Sequence, residues 1–271
     1  MDTSLFDYTF PKELVAQHPP SNREEARMMV LDRGQQNWTH HQIPDLLDYL
    51  LPGDVLILNN ALADLVPFED KLVPALPPYI KRKKVTDFTP EDFVRYRTVY
   101  GQVPGSKAAP TAGFHFSESL LEKIKNLGVD IHYVTLHVSY DTYKPIRTER
   151  IEEHPMHGEQ FEISEETAQA IRKAKEEGRR VIAVGTTTVR VLESWASLKK
   201  GDEGGFTHLF IQPGFKFNIV DALLTNFHRP KSTVLVMVSA FAGREFIMAT
   251  YQEAIRNGYH LFSYGDCMLI L

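Results

Sequence analysis

Residues 181–190 read VIAVGTTTVR, and this stretch decides the fold class. Val181–Val184 is an unbroken apolar run with no polar face, the pattern of a strand buried on both sides. Gly185 interrupts it, and Thr186, Thr187 and Thr188 stand where a helix opens and continues through Arg190 and Leu192 to about Trp195. The first N–H groups of such a helix lack partners within it and, with the helix dipole, favour a carboxylate or a phosphate. A threonine-capped helix after a strand has the same local sequence, so both readings stand. A Walker loop is excluded because its second glycine and its lysine are missing.

The same alternation extends in both directions. Upstream, Ser164 caps a helix with Glu165 and Glu166 in its first turn, which runs to about Glu177 and stops at Gly178. Before it lie an expected strand over residues 130–138, a helix from Ser117 to Gly128 and an expected strand over residues 95–100. Arg27–Asp32 and residues 55–58 read as buried strands, the latter after the Pro52-Gly53-Asp54 turn. Downstream, a strand is expected near residues 207–211 and an amphipathic helix over Arg244–Arg256, ending at Gly258. Residues 61–78, ALADLVPFEDKLVPALPP, carry four prolines and no clean period. Strand and helix in steady alternation predict an α/β fold, a mixed sheet with flanking helices, in a single main domain. Ligands in such folds sit at the carboxyl ends of strands.

Composition narrows the function classes. A single cysteine, Cys267, excludes an intramolecular disulfide and a multi-cysteine metal site. The start, MDTSLFDYTF, lacks a basic region followed by an apolar one, and the longest apolar run, residues 234–243, is about half a bilayer span. A cytoplasmic protein with no membrane contact is expected. The net charge of −5 means that any nucleic acid must meet local positive charge, most densely at Lys81-Arg82-Lys83-Lys84 with Arg95 and Arg97 behind.

Candidate chemistry concentrates in polar segments between residues 110 and 266. Residues 152–159, EEHPMHGE, set two histidines among carboxylates. Pro155 between them argues against one helix face presenting both to a metal, and no third ligand follows at typical spacing. Acid–base or substrate-binding work fits better, because histidine titrates near neutral pH. APTAGFHF (109–116), TLHV (135–138) and TNFHRPKS (225–232) each set a histidine beside small, apolar or hydroxyl residues. The residues alone therefore indicate an α/β enzyme handling an anionic or polar ligand.

A run of motifs resembles one family, the S-adenosylmethionine:tRNA ribosyltransferase-isomerases of queuosine biosynthesis. The likeness is carried by FDYTFPKELVAQHP (6–19), REEARMMVLD (23–32), LPGDVLILNN (51–60), LPPYIKR (76–82) and RYRTVYG (95–101). It continues through APTAGFHFSESLL (109–121), VTLHVSYDTYKPI (134–146), EEHPMHGEQFEI (152–163) and VIAVGTTTVRVLES (181–194), then LFIQPGFKFNIVDALLTNFHRPKST (209–233) and FSYGDCMLIL (262–271). The family continues after the Asn59-Asn60 position into a threonine-arginine segment and a small β-barrel domain. Residues 61–78 resemble a shortened junction at that point, with residues 1–60 and 79–271 as the catalytic domain and the barrel largely absent. Phe114 stands where leucine is usual, Ser139 and Asp141 where glycines are usual, and Gln212 where an aromatic is usual.

The resemblance implies transfer and isomerisation of the ribosyl part of S-adenosylmethionine onto the aminomethyl group of a 7-deazaguanine wobble base in tRNA. The products are epoxyqueuosine, adenine and methionine, and the enzyme is expected to be a monomer without a metal. It implies acid–base roles for His115, His137, His154 and His157, with Glu159 orienting or acting as base. Thr186, Thr187, Thr188 and Arg190 are expected to hold an anionic group, Asn226, His228 and Lys231 to bind cofactor or nucleotide, and Asp266 to meet ribose hydroxyls. Lys81, Arg82 and Arg95 are the tRNA-backbone candidates. The alternative is a truncated relative that binds S-adenosylmethionine or a nucleoside without modifying tRNA.

Overall fold

The strand-to-helix unit at residues 181–195 recurs along the chain. The computed structural model describes residues 1–199 and 201–271. Its strands are β1 (Arg27–Asp32), β2 (Asn37–Gln42), β3 (Val55–Asn59), β4 (Ala61–Ala63), β5 (Leu65–Phe68), β6 (Lys71–Pro74), β7 (Val103–Ser106), β8 (Asp130–Leu136), β9 (Glu159–Ile163), β10 (Val181–Val184), β11 (Gly204–Thr207), β12 (Ala222–Asn226) and β13 (Cys267–Ile270). The helices are α1 (Pro90–Arg95), α2 (Glu118–Asn126), α3 (Glu165–Glu176), α4 (Thr186–Trp195), α5 (Thr233–Ala242) and α6 (Arg244–Arg256).

Nine strands form one mixed sheet in the order β11-β9-β8-β3-β10-β12-β13-β1-β2. The central β8, β3, β10 and β12 run parallel. Antiparallel pairs extend it on both sides, β9 and β11 beyond β8 and β13 beyond β12, and β1 runs parallel to β13 before the β1–β2 hairpin closes that edge.

Alternation along the central strands splits the core in two. Val55, Ile57, Val181, Ala183 and Leu223 face a layer formed by α3, α4, α5 and α6. Leu56, Leu58, Ile182, Val184, Ala222 and Leu224 face the other side, where Leu120, Leu121 and Ile124 of α2 and Ile43 and Leu46 cover them. Burial on both faces is why these strands read as uninterrupted apolar runs. The mixed sheet with flanking helices in one domain agrees with the expectation. The 234–243 run became α5, which buries Leu235, Val236, Met237, Val238 and Phe241. Among the described residues no single helix is long and apolar enough to cross a membrane.

Two expected strands differ. Residues 95–100 contain no strand; α1 occupies Pro90–Arg95 instead. Pro90 at the first helical position and the Thr89–Asp92 capping box start that helix. The alternation that suggested a strand is real, since Tyr96, Thr98 and Tyr100 are buried, but no neighbouring strand pairs with it. The strand expected at 207–211 ends at Thr207. Beyond it, side chains satisfy the backbone: Thr207 Oγ1 accepts from Leu209 N at 3.1 Å, and Arg190 Nε donates to Leu209 O at 3.2 Å. The unreadable residues 61–78 contain β4, which pairs with β7, and the β5–β6 hairpin, both outside the main sheet.

Candidate functional site

The carboxyl ends of β10 and β12 open into a cleft of about 730 Å³, counting its mouth. Thr111, Thr186, Thr187, Asn226, His228 and Arg229 supply its polar lining. Tyr79, Tyr143 and Phe262 supply aromatic surface. The Tyr79 and Phe262 rings are 4.9 Å apart and those of Tyr79 and Tyr143 6.0 Å apart.

The α4 end of the cleft is rich in unpaired donors. Gly185 takes φ +87°, a conformation that favours glycine, and an added Cβ would also lie 3.4 Å from that of Ala112. No side chain caps α4, so its first-turn N–H groups stay free. The fully buried Asn59 donates from Nδ2 to Thr187 Oγ1 at 3.2 Å, which leaves the Thr187 hydroxyl hydrogen for a ligand. Arg229, in the same lining, donates to Tyr143 O at 2.8 Å and lies 5.8 Å from the Tyr79 ring centroid. No carboxylate pairs with it among the described residues. A cation, free N–H groups and a hydroxyl therefore converge where a carboxylate or phosphate would fit.

One histidine lines this cleft and a second lies behind it, both held neutral near pH 7. Burial pushes the pKa of His228 down to about 3, and its Nε2 lies 3.1 Å from Thr225 Oγ1. His115 is buried behind the wall, with its Nε2 3.1 Å from Asn226 Nδ2. Burial first, then the charge of Arg23, pushes its pKa down to about 4. Since the amide is the donor, Nε2 must accept, and the ring proton sits on Nδ1. His115 is thus bonded to Asn226, whose amide also donates to Phe262 O at 3.1 Å. This differs from the expected acid–base role.

A second chamber of about 360 Å³ adjoins the first, with Thr142, Thr186, Thr187 and Val234 lining both. His157, Glu159 and Arg190 line its far side. Glu159 and Arg190 are buried and form a charge-assisted hydrogen bond. Glu159 Oε1 also accepts from Ser139 N at 2.6 Å and lies 3.4 Å from His157 Nε2, too far out of line for a hydrogen bond. Burial lowers the pKa of Arg190, an effect that Glu159 opposes. Arg190 is thus the partner of Glu159 and of loop carbonyls, a correction to its expected role as anion holder.

Other expected residues lie elsewhere. Thr188 is fully buried and donates to Val184 O at 2.7 Å, so it caps within the fold. Asp266 is buried between backbone donors, accepting from Arg27 N and His260 N, each at 2.7 Å. Burial raises its pKa. It joins β1 to β13 rather than meeting a ribose. Lys231 lies outside the cleft lining and pairs with Asp7 at 2.7 Å. His137 packs beside Gly105, and His154 meets the Phe210 ring edge-on at 5.7 Å; neither lines either chamber. Arg82 forks onto buried Asp92 with two 2.8 Å bonds and is no free phosphate contact. Lys81 donates to Pro78 O at 2.9 Å and keeps an exposed head.

Sequence reasoning missed Arg229, Tyr79, Tyr143, Phe262 and Asn59 as contributors. Arg229 lay inside the TNFHRPKS segment, and an asparagine ending a buried strand was a usable signal for Asn59. The aromatic residues carry no local signal, because separate loops bring them together. Among the described residues no three of His, Cys, Asp and Glu come together as a metal cluster would require.

Comparison with known proteins identifies the family. The family described as queuosine biosynthesis protein matches residues 3–66 and 69–270. An S-adenosylmethionine:tRNA ribosyltransferase-isomerase of Sulfurihydrogenibium sp. (strain YO3AOP1) is 40% identical, with 100% of both chains covered. One of the same name from Heliobacterium modesticaldum is 39% identical, again over 100% of both. The crystal structure of an S-adenosylmethionine tRNA ribosyltransferase from Thermotoga maritima superposes with a TM-score of 0.71 at 36% identity, covering 99% of this chain and 100% of that one. The first alignment runs over 343 residues, more than this chain's 271. Because both chains are covered end to end, the relative's surplus lies within the alignment.

Proposed function

The chain belongs to the queuosine biosynthesis protein family, and from that premise we propose that it is an S-adenosylmethionine:tRNA ribosyltransferase-isomerase working in the cleft at the ends of β10 and β12. The reaction transfers the ribosyl part of S-adenosylmethionine to the aminomethyl group of a 7-deazaguanine at the tRNA wobble position. Adenine and methionine leave, and the ribosyl carbons close to the epoxycyclopentane of epoxyqueuosine. The enzyme acts as a cytoplasmic monomer.

One observation carries this reading: the uncapped N-terminus of α4, the Thr187 hydroxyl and Arg229 all line one cleft together with Tyr79, Tyr143 and Phe262. The methionine carboxylate belongs at that end, held by the dipole, the hydroxyl and the guanidinium. Adenine fits against Tyr79, Tyr143 and Phe262, where stacking holds a flat base. Removing a proton from the carbon beside the sulfonium requires a base, and departing adenine requires a donor. His157 is the acid–base candidate rather than Glu159, because Arg190 and the Ser139 N–H already engage that carboxylate. Asn226 and His228 supply polar contacts to the nucleoside, and His115 positions Asn226.

A second reading rests on the shorter chain. The family match is interrupted at residues 67 and 68, within the 61–78 junction where the barrel domain would be inserted. A relative that has lost this domain would bind S-adenosylmethionine without modifying tRNA. Incubation with S-adenosylmethionine and either precursor-bearing tRNA or its anticodon stem-loop, following free adenine, separates the two. The proposed enzyme releases adenine in proportion to modified RNA. Absence of adenine with both RNAs would leave the second reading.

A further inference from the structure

Beside the 111–115 turn lies a separate shallow recess of about 260 Å³, counting its open mouth, lined by Arg23, Arg95, His115, Ser263 and Tyr264 among others. Ser263 also lines the main cleft, where its Oγ is 2.7 Å from Tyr79 Oη. One side chain therefore borders both spaces.

The two arginines in this recess differ from Arg82 and Arg190, whose side chains are buried. Arg82 and Arg190 each face a buried carboxylate. Arg23 instead donates to Phe114 O at 3.0 Å and Arg97 O at 2.8 Å. Arg95 donates to Ser21 O at 3.0 Å, and its Nε is buried with no partner. Neither forms an ion pair among the described residues; Glu25, the carboxylate whose field reaches Arg95, is exposed. Burial first, then the charge of Arg95, lowers the pKa of Arg23 to about 10. Two partly desolvated cations of like charge are costly without an anion between them. The guanidinium fork suits phosphate oxygens.

We infer that Arg23 and Arg95 form a phosphate site, and that its occupant is a backbone phosphodiester of the RNA whose base enters the adjoining cleft. This assignment of the occupant rests on the proposed tRNA activity. The phosphate anchors the strand on one side of Ser263 while the base reaches past it to the α4 end.

The test uses the full chain, an anticodon stem-loop, S-adenosylmethionine and inorganic phosphate. Arg95→Gln should raise the KM for RNA about tenfold, the loss of one charge-assisted contact. The KM for S-adenosylmethionine and kcat should stay within about twofold. RNA affinity should fall less steeply with salt, its logarithmic slope reduced by about 0.7, whereas Arg95→Lys should keep the wild-type slope. At constant ionic strength, inorganic phosphate should raise the Tm of the wild type and compete with RNA, and both effects should vanish in folded Arg95→Gln. Should that variant not fold, Arg95→Lys and the wild-type competition decide. An unchanged KM and salt slope in folded Arg95→Gln would overturn the site. Phosphate that raises Tm without competing with RNA would overturn the RNA occupant and leave a free-phosphate site. The Tm arm needs no turnover, so an inactive wild type is distinguishable from a missing phosphate site.

Discussion

The two chambers that share Thr186 and Thr187 hold similar chemistry in opposite states. In the chamber of His157, Glu159 and Arg190, the carboxylate and guanidinium consume each other, and the remaining guanidinium donors go to main-chain carbonyls. In the cleft beside it, Arg229 has no carboxylate, α4 has no cap, and the Thr187 hydroxyl receives a hydrogen bond without giving one inside the protein. A closed pair holds the fold together. An open set of donors waits for an anion. The contrast teaches that residue type alone does not distinguish a ligand-binding arginine from a scaffold one; the difference is whether the partner is already within the protein.

The sharpest way to break this contrast is to open the closed pair. Glu159→Ala should leave Arg190 as a buried charge without a counterion and cost about 3–5 kcal/mol of stability, read by denaturant unfolding. Adding Arg190→Met should recover most of that loss. A single-variant loss below about 1 kcal/mol would show that the pair is not a scaffold element.

A pH titration probes the wall of the open cleft. The folded pKa of His115, about 4, lies below its ordinary value of 6.5. The unfolded chain therefore binds more protons between these values, and stability falls as pH drops through that window. The slope should be about 1.4 kcal/mol per pH unit. His115→Gln should remove this contribution, leaving a shallower acid limb in unfolding midpoints between pH 6.5 and 4. An unchanged limb would mean that the ring is not held neutral by burial.

Arg229→Gln tests the open side directly. It should raise the KM for S-adenosylmethionine by roughly 10–100-fold, equivalent to a charged hydrogen bond of about 1.5–3 kcal/mol. Stability should change far less than in Glu159→Ala. If stability falls and KM does not move, Arg229 is scaffold and the contrast between chambers fails. The smallest effect is expected at Lys231, whose pair with Asp7 is partly exposed. Lys231→Ala should cost under about 1 kcal/mol and leave the KM for S-adenosylmethionine unchanged in steady-state assays.

The legibility of the fold followed the burial of its strands. β3 and β10 were readable because burial on both faces demands unbroken apolar runs, and α2 and α3 because their serine caps and glycine stops are local. β9 and β12 were not read, although Ala222–Asn226 is buried throughout. Each is only five residues long and carries polar residues, so its pattern does not stand out from the loops beside it. The 95–100 stretch misled because alternating burial accompanies a loop as readily as a strand when no neighbour pairs with it. Among the residues that line the cleft, Thr186, Thr187, Asn226 and His228 are expected from the strand-to-helix turn and the TNFHRPKS motif. Thr188, Arg190 and Asp266 were legible as polar residues near the site, but their partners were not.

By itself, the sequence determined the α/β class, the family resemblance and the strand end at which donors gather. Each of these depends on patterns within a few residues or on motifs in order along the chain. Only the tertiary structure decided which polar groups are free. Arg190 meets Glu159 across 31 positions and Asn59 reaches Thr187 across 128, whereas Arg229 meets no carboxylate at all among the described residues. A local pattern can propose a charge, but the fold determines whether that charge is already neutralised, because the partner that would do so comes from elsewhere in the chain.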